Sequence, residues 1–297
     1  MNFAALLFFG LCWGSTVPLT KFAISAGYNP LGMIVWQLGV SAAVLGLVML
    51  FRRMSIRIQR QHLVYLLIIA FIGTLIPNTL SLLATRHLPA GIIALVLATV
   101  PIASLSIALL CRIESFSLRR VLGVGLGVLS LVLIGVPDTT LPDPSKAKWL
   151  LVAVLAPLCY AIEGNYVAAR APSKLTAIGT LFGASVCGLL ILMPVVYFNN
   201  WQVSIWVPWD ATRWAILAAA FGHVVAYSGY LWLLGRAGAV FTSQVAYVVT
   251  LTGVLGAMIF LGERYGWVLF VAVALMLMAL ALVKPVRTSR SVLPHES

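Results

Sequence analysis

The chain has 297 residues, of which 62% are hydrophobic and only 9% charged, and its mean hydropathy is +1.07. A water-soluble domain needs a charged surface that this composition cannot supply, so the sequence describes an integral membrane protein. The net charge of +12 belongs with anionic headgroups and the rules of membrane insertion, and no nucleic-acid partner is expected from it.

A helix needs about 20 apolar residues to cross the hydrocarbon, because each backbone polar group must be satisfied within the segment. Ten such segments are predicted, and the first runs from about 3 to 26. It has no basic stretch before its apolar core and continues past Pro18 and Lys21, so it reads as a retained helix rather than a cleaved signal. Trp13, Thr16 and Thr20 share one of its faces. Tyr28-Asn29-Pro30 is the turn that separates it from the second segment, 30 to 51. The third, 62 to 85, carries Pro77 and a stripe of Thr74, Asn78 and Ser81. The fourth, 89 to 111, carries Thr99 and Pro101, and the fifth, 118 to 137, spaces Gly123, Gly125 and Gly127 for close helix contact, either inside one chain or across a homodimer face.

The sixth segment, 148 to 170, contains Pro157 and the stretch LCYAIEGNY, whose Tyr160, Glu163 and Val167 share a face. The seventh spans 174 to 198, and the eighth, 211 to 235, aligns His223, Tyr227 and Tyr230. The ninth, 238 to 261, holds Gln244 and Tyr247, the tenth runs from 265 to 284, and a polar tail, 285 to 297, is expected to be disordered. Cys12, Cys111, Cys159 and Cys187 are scattered singly, without metal-ligand spacing, and read as packing residues.

With a cytoplasmic N-terminus, the inside segments hold Arg52, Arg53, Arg57, Arg60, Arg112, Arg119, Arg120, Arg170, Lys174, Arg236, Lys284, Arg287 and Arg290, and the outside ones only Lys21, Arg86, Lys146, Lys148, Arg213 and Arg264. Basic residues favour the cytoplasmic side, so both termini are expected there.

The chain also repeats itself. An offset of 147 lays Leu11-Cys12-Trp13 on Leu158-Cys159-Tyr160, and one of 149 lays Glu114 on Glu263 and the stripe Thr74, Asn78, Ser81 on His223, Tyr227, Tyr230. Residues 1–137 and 138–284 are therefore read as two copies of five helices each. Five is odd, so the second copy enters the membrane from the opposite side, and inverted repeats of this kind commonly meet at a binding site near the midplane.

Three stretches carry a family resemblance: CWGSTVPLTKFA in the first segment, ATVPIASLSIALLCRIES at the end of the fourth and LTGVLGAMIFLGERYG at the end of the ninth. They resemble the signatures of the EamA branch of the drug/metabolite transporter superfamily, over all ten segments, and within it the chain looks most like bacterial aromatic amino-acid exporters (YddG-like). The resemblance implies an all-α bundle of ten transmembrane helices, arranged as two inverted five-helix repeats around a central cavity. It also implies export of small organic molecules across the inner membrane, with no cofactor. In one departure, Thr250 stands where the first repeat has Pro101, so the ninth segment is expected to lack the kink of the fourth.

Polar side chains are costly in hydrocarbon and should face the bundle interior or water. The four stripes are expected to converge on one cavity, giving a candidate site of Trp13, Thr16, Asn78, Ser81, Thr99, Tyr160, Glu163, His223, Tyr227, Tyr230, Gln244 and Tyr247. Glu163 is the one acid inside an apolar segment. It is either a structural carboxylate paired with a basic side chain or reaching water, or a cavity group that attracts a substrate ammonium or takes a proton. His223 is likewise either a hydrogen-bonding residue or a proton relay. The rings suit stacking, and Asn78, Glu163, His223 and Gln244 suit an amino-acid head group.

No GxxxxGK[ST] loop is present, so ATP is not expected to drive the protein directly. An intramembrane enzyme would need a nucleophile, base or metal cluster, and one acid with one interior histidine is a thin toolkit; no catalytic residue and no metal site are expected. Transport of nucleotide sugars, drugs or other metabolites stays open, and a scaffold or receptor subunit would show a packed centre with no cavity.

Overall fold

The computed structural model describes residues 1–54, 60–112, 116–135, 147–172, 175–204, 208–264 and 266–282. Arg57, Glu114, Asp138, Asp143, Lys146, Lys174, Lys284, Arg287, Arg290, Glu296 and the tail 285–297 lie outside them. Among the described residues the chain is all helix: α1 (Asn2–Ser25), α2 (Pro30–Phe51), α3 (Arg60–Ile68), a π-helical segment (Ile69–Leu75), α4 (Ile76–Thr85), α5 (Ala90–Leu97), α6 (Val100–Leu110), α7 (Leu118–Gly135), α8 (Ala147–Arg170), α9 (Ala177–Phe198), α10 (Ala211–Ala237), α11 (Ala239–Ser243), α12 (Val245–Leu261) and α13 (Val268–Leu282). Among the described residues eight stretches are long and apolar enough to cross a membrane by length and composition, three of them (His62–Thr85, Ala90–Leu110 and Ala239–Leu261) built from more than one element. The described parts of α7 and α13 cover 18 and 15 residues and pack on each other.

The packing follows the internal repeat. α1 lies against α10 and α12, while its counterpart α8 lies against α4 and α6; α2 pairs with α9, and α5 with α12. Lipid is as apolar as leucine, so burial does not drive helices together in a bilayer and close approach of small residues does much of the work. Gly10 and Gly14 of α1 sit so tightly on Val248 and Thr252 of α12 that neither has room for a Cβ, and Gly229 of α10 is pressed in the same way by the Phe9 ring. Gly127 of α7 has the Tyr247 hydroxyl where a side chain would go, which puts that glycine to use within one chain; Gly125 faces open space.

Proline decides where helices deform. Pro77 has no N–H to offer the carbonyl of Gly73, four residues before it, and its ring crowds that carbonyl. The wider turns of the π segment, which ends at Leu75, fall where that strain would arise. The corresponding stretch of α10 has no proline and stays regular. The fourth predicted segment breaks between α5 and α6, just before Pro101. The ninth is also interrupted, contrary to the expectation from Thr250, but at Gln244; Thr250 itself lies inside unbroken α12, where its hydroxyl reaches the carbonyls of Ala246 and Ala94.

One end of the bundle is tied together by charge. Gly262, left-handed at φ 69°, closes α12 and lets the Glu263 N–H bond back to Ala257 O, a turn that glycine makes without steric cost. Glu263 then accepts hydrogen bonds from the Ala90 and Gly91 N–H groups at 2.8 and 3.0 Å, capping α5. Lys21 of α1 donates to the carbonyls of Thr85 and Leu88 on the same turn.

Candidate substrate cavity

The hydroxyl groups on α1 are settled locally: Thr16 donates to Trp13 O, and Thr20 to the carbonyls of Thr16 and Val17. Bonding back on their own helix lets them sit at the bundle centre without other partners. Trp13, on the same face, is the hub of an aromatic cluster, with ring centroids 6.0 Å from Tyr160, 5.6 Å from His223, 5.8 Å from Tyr227 and 5.7 Å from Tyr230. Three helices, α1, α8 and α10, thus bring their predicted stripes together. The fourth stripe joins them through Asn78, whose Oδ1 accepts from the Tyr160 hydroxyl at 2.6 Å.

Two cavities open from this cluster. Toward the Lys21 end, a space of about 530 Å³, counting the part open to solvent, has the more polar wall of the two, with Thr16, Gln37, Asn78, Ser81 and His223 beside Val17, Leu82 and Ile93. Toward the Met1 end, one of about 420 Å³ by the same measure is walled by Val100, Tyr230, Ser243 and Val249. Trp13, Leu97 and Tyr160 belong to both and form the septum between them.

Glu163 lies on the wall of neither cavity. It is completely buried, accepts a hydrogen bond from Tyr227 at 2.8 Å through Oε1, and has no partner on Oε2. Gly73 of the π segment closes the other side, so near that a Cβ there would meet both the Tyr227 hydroxyl and the Glu163 carboxyl. Among the described residues no basic side chain bonds to it, and it does not reach water. The internal repeat holds here too: Gly222, 149 residues after Gly73, presses on Thr16, the counterpart of Glu163.

The remaining predicted residues are spread more widely. Tyr227 is fully buried between Trp13 and Glu163. Tyr247 points its hydroxyl at Gly127 of α7, away from the septum. Gln244 marks the break between α11 and α12, with Nε2 on Val240 O and Oε1 unpartnered, and Thr99 bonds to Val96 O beside the break between α5 and α6. Neither they nor Tyr247 are on the two cavity walls. Gln37 is a wall residue that the stripes did not include. Its signal in the sequence is a single amide in the apolar run IVWQLGV of α2, with Ser41 one helical turn further on as its polar neighbour.

A family model described as "EamA-like transporter family" matches the chain twice, over residues 2–136 and 147–284, so the chain consists of two EamA halves. An uncharacterized transporter, YyaM of Bacillus subtilis (strain 168), is 23% identical over 231 residues, covering 76% of this chain and 74% of that protein. A solved crystal structure shares the fold with a TM-score of 0.71 at 17% identity, over 93% of this chain and 94% of the other.

Proposed function

Because the chain belongs to the EamA-like transporter family, and is thus a multi-pass membrane transporter rather than an enzyme, we propose that it exports amino acids with aromatic or large apolar side chains. In this reading it is a secondary transporter of the bacterial inner membrane, with ten spans in two inverted five-helix repeats and both termini in the cytoplasm. One observation carries the substrate class: a buried carboxylate with one free oxygen stands behind a cage of four rings around Trp13. An ammonium group can bond to the carboxylate while an apolar side chain packs on the rings, each ring contact contributing about 0.5–1.5 kcal/mol beyond area burial.

Alternating access accounts for the septum. Trp13 and Tyr160 occupy equivalent places in the two halves, and a substrate passing from one cavity to the other must move both. Rearrangement of these rings also gives access to Glu163. A second reading, export of an organic cation or cationic drug, is favoured by a particular feature of the walls: neither cavity is lined by Lys or Arg among the described residues.

The purified protein in liposomes, loaded with labelled tryptophan, decides between them. Efflux competed by phenylalanine and tyrosine is the expected result. Efflux of tryptamine without efflux of tryptophan would replace the amino acid by the organic cation.

A further inference from the structure

Among the described residues three buried side-chain nitrogens lack a hydrogen-bond partner: Arg213 Nε near the start of α10, Gln37 Nε2 and Asn78 Nδ2. The two amides lie on different helices, α2 and α4, yet both belong to the wall of the polar cavity. A buried donor left unpaired costs about 1–3 kcal/mol, so two facing one space point to an acceptor that the space takes in.

Several of the other polar groups around them are already committed. The hydroxyls of Thr16, Thr20 and Thr85 donate to backbone carbonyls of their own helices, and Asn78 Oδ1 is taken by Tyr160. Asn78 is 8% exposed, and its nitrogen is buried. Lys21, the nearest cation along α1, spends its ammonium on the carbonyls of Thr85 and Leu88.

We propose that Gln37 and Asn78 form a neutral carboxylate subsite, which holds the acid group of the substrate on the wall of this cavity. This rests on the reading of the cavities as an amino-acid path, and it names the residues that select a zwitterion over an amine. Neutral donors suit a transporter, because an amide holds a carboxylate without the deep well that a buried arginine would create, and the substrate can leave.

Three probes separate the claims: tryptophan, tryptamine, which lacks the carboxylate, and indole-3-propionate, which lacks the ammonium. Each is measured for binding to the purified full-length protein and for flux in liposomes. Gln37→Leu and Asn78→Leu are each expected to weaken tryptophan and indole-3-propionate about tenfold to hundredfold and to leave tryptamine within a few-fold of wild type. Gln37→Glu, nearly the same shape, is expected to exclude indole-3-propionate and to keep tryptamine, which shows at the same time that the variant is folded. Unchanged indole-3-propionate binding in Gln37→Leu and Gln37→Glu overturns the subsite, whatever tryptophan does. If the wild type binds indole-3-propionate through these residues but moves no tryptophan, the amino-acid reading fails and the carboxylate subsite stands.

Discussion

Tyr227 of α10 donates its hydroxyl hydrogen to Glu163 of α8 across 2.8 Å, and the second carboxylate oxygen of Glu163 has no hydrogen-bond partner among the described residues. The pair crosses between helices at the centre of the bundle, behind the ring of Trp13. Its isolation is what makes the acid informative, because a structural carboxylate at this depth would be expected to have a cationic partner.

Glu163→Gln should therefore separate function from stability. The amide keeps the shape and can still accept from Tyr227, so the melting temperature of the purified protein should stay close to wild type. Flux of a zwitterionic amino acid in liposomes should fall several-fold to about a hundredfold, as expected for loss of a charge-assisted hydrogen bond contributing about 1.5–3 kcal/mol. Wild-type flux with a lowered melting temperature would make Glu163 a structural residue.

Gly73 should be energetically coupled to Tyr227. Gly73→Ala drives a methyl group into the Tyr227 hydroxyl and should cost about 1–3 kcal/mol as an overpacked site. Tyr227→Phe alone strips Glu163 of its donor and should cost about as much. Together they should cost less than the sum of the two, since removing the hydroxyl clears most of the clash, with a coupling of about 0.5–3 kcal/mol. Thermal unfolding of the four proteins in one detergent measures this, and strictly additive losses would mean that the two residues do not meet.

Glu263 should matter more to stability than its place in a connecting loop suggests. Glu263→Ala removes the side-chain acceptor of the first two N–H groups of α5 and one of the ties between the end of α12 and α5. A loss of about 1.5–3 kcal/mol is expected, against about 1 kcal/mol for Asp210→Ala, which removes an ordinary exposed cap of α10. Equal shifts in melting temperature for the two variants would reduce Glu263 to an ordinary cap.

The proposed orientation is tested by cysteines placed singly at Arg57 and Lys146. An impermeant thiol reagent applied to intact cells should label the second and spare the first. Labelling of both from one side would overturn the arrangement of ten spans.

The membrane class, the apolar segments and the pairing of α1 with α8 and of the third segment with α10 were legible in the sequence, because they depend on composition, on the 3.6-residue period and on self-similarity along one chain. Those are properties of a segment by itself. Which helix faces meet is not, and there the tertiary structure decided. The period placed Tyr247 with the other aromatic residues of the interior, but the contact of α12 with α7 through Gly127 turned its hydroxyl elsewhere. Gln37, with only Ser41 beside it in an apolar run, was not read as a stripe, yet helix packing set it on the same wall as Asn78. Glu163 was visible as an acid in the wrong solvent, whereas its single donor, its free oxygen and the glycine beneath it depend on the approach of three separate elements. A hydrogen bond or an empty space between helices is fixed by where their axes cross, and in a bilayer that crossing is set by the fit of small residues against large ones rather than by any pattern along one strand of sequence.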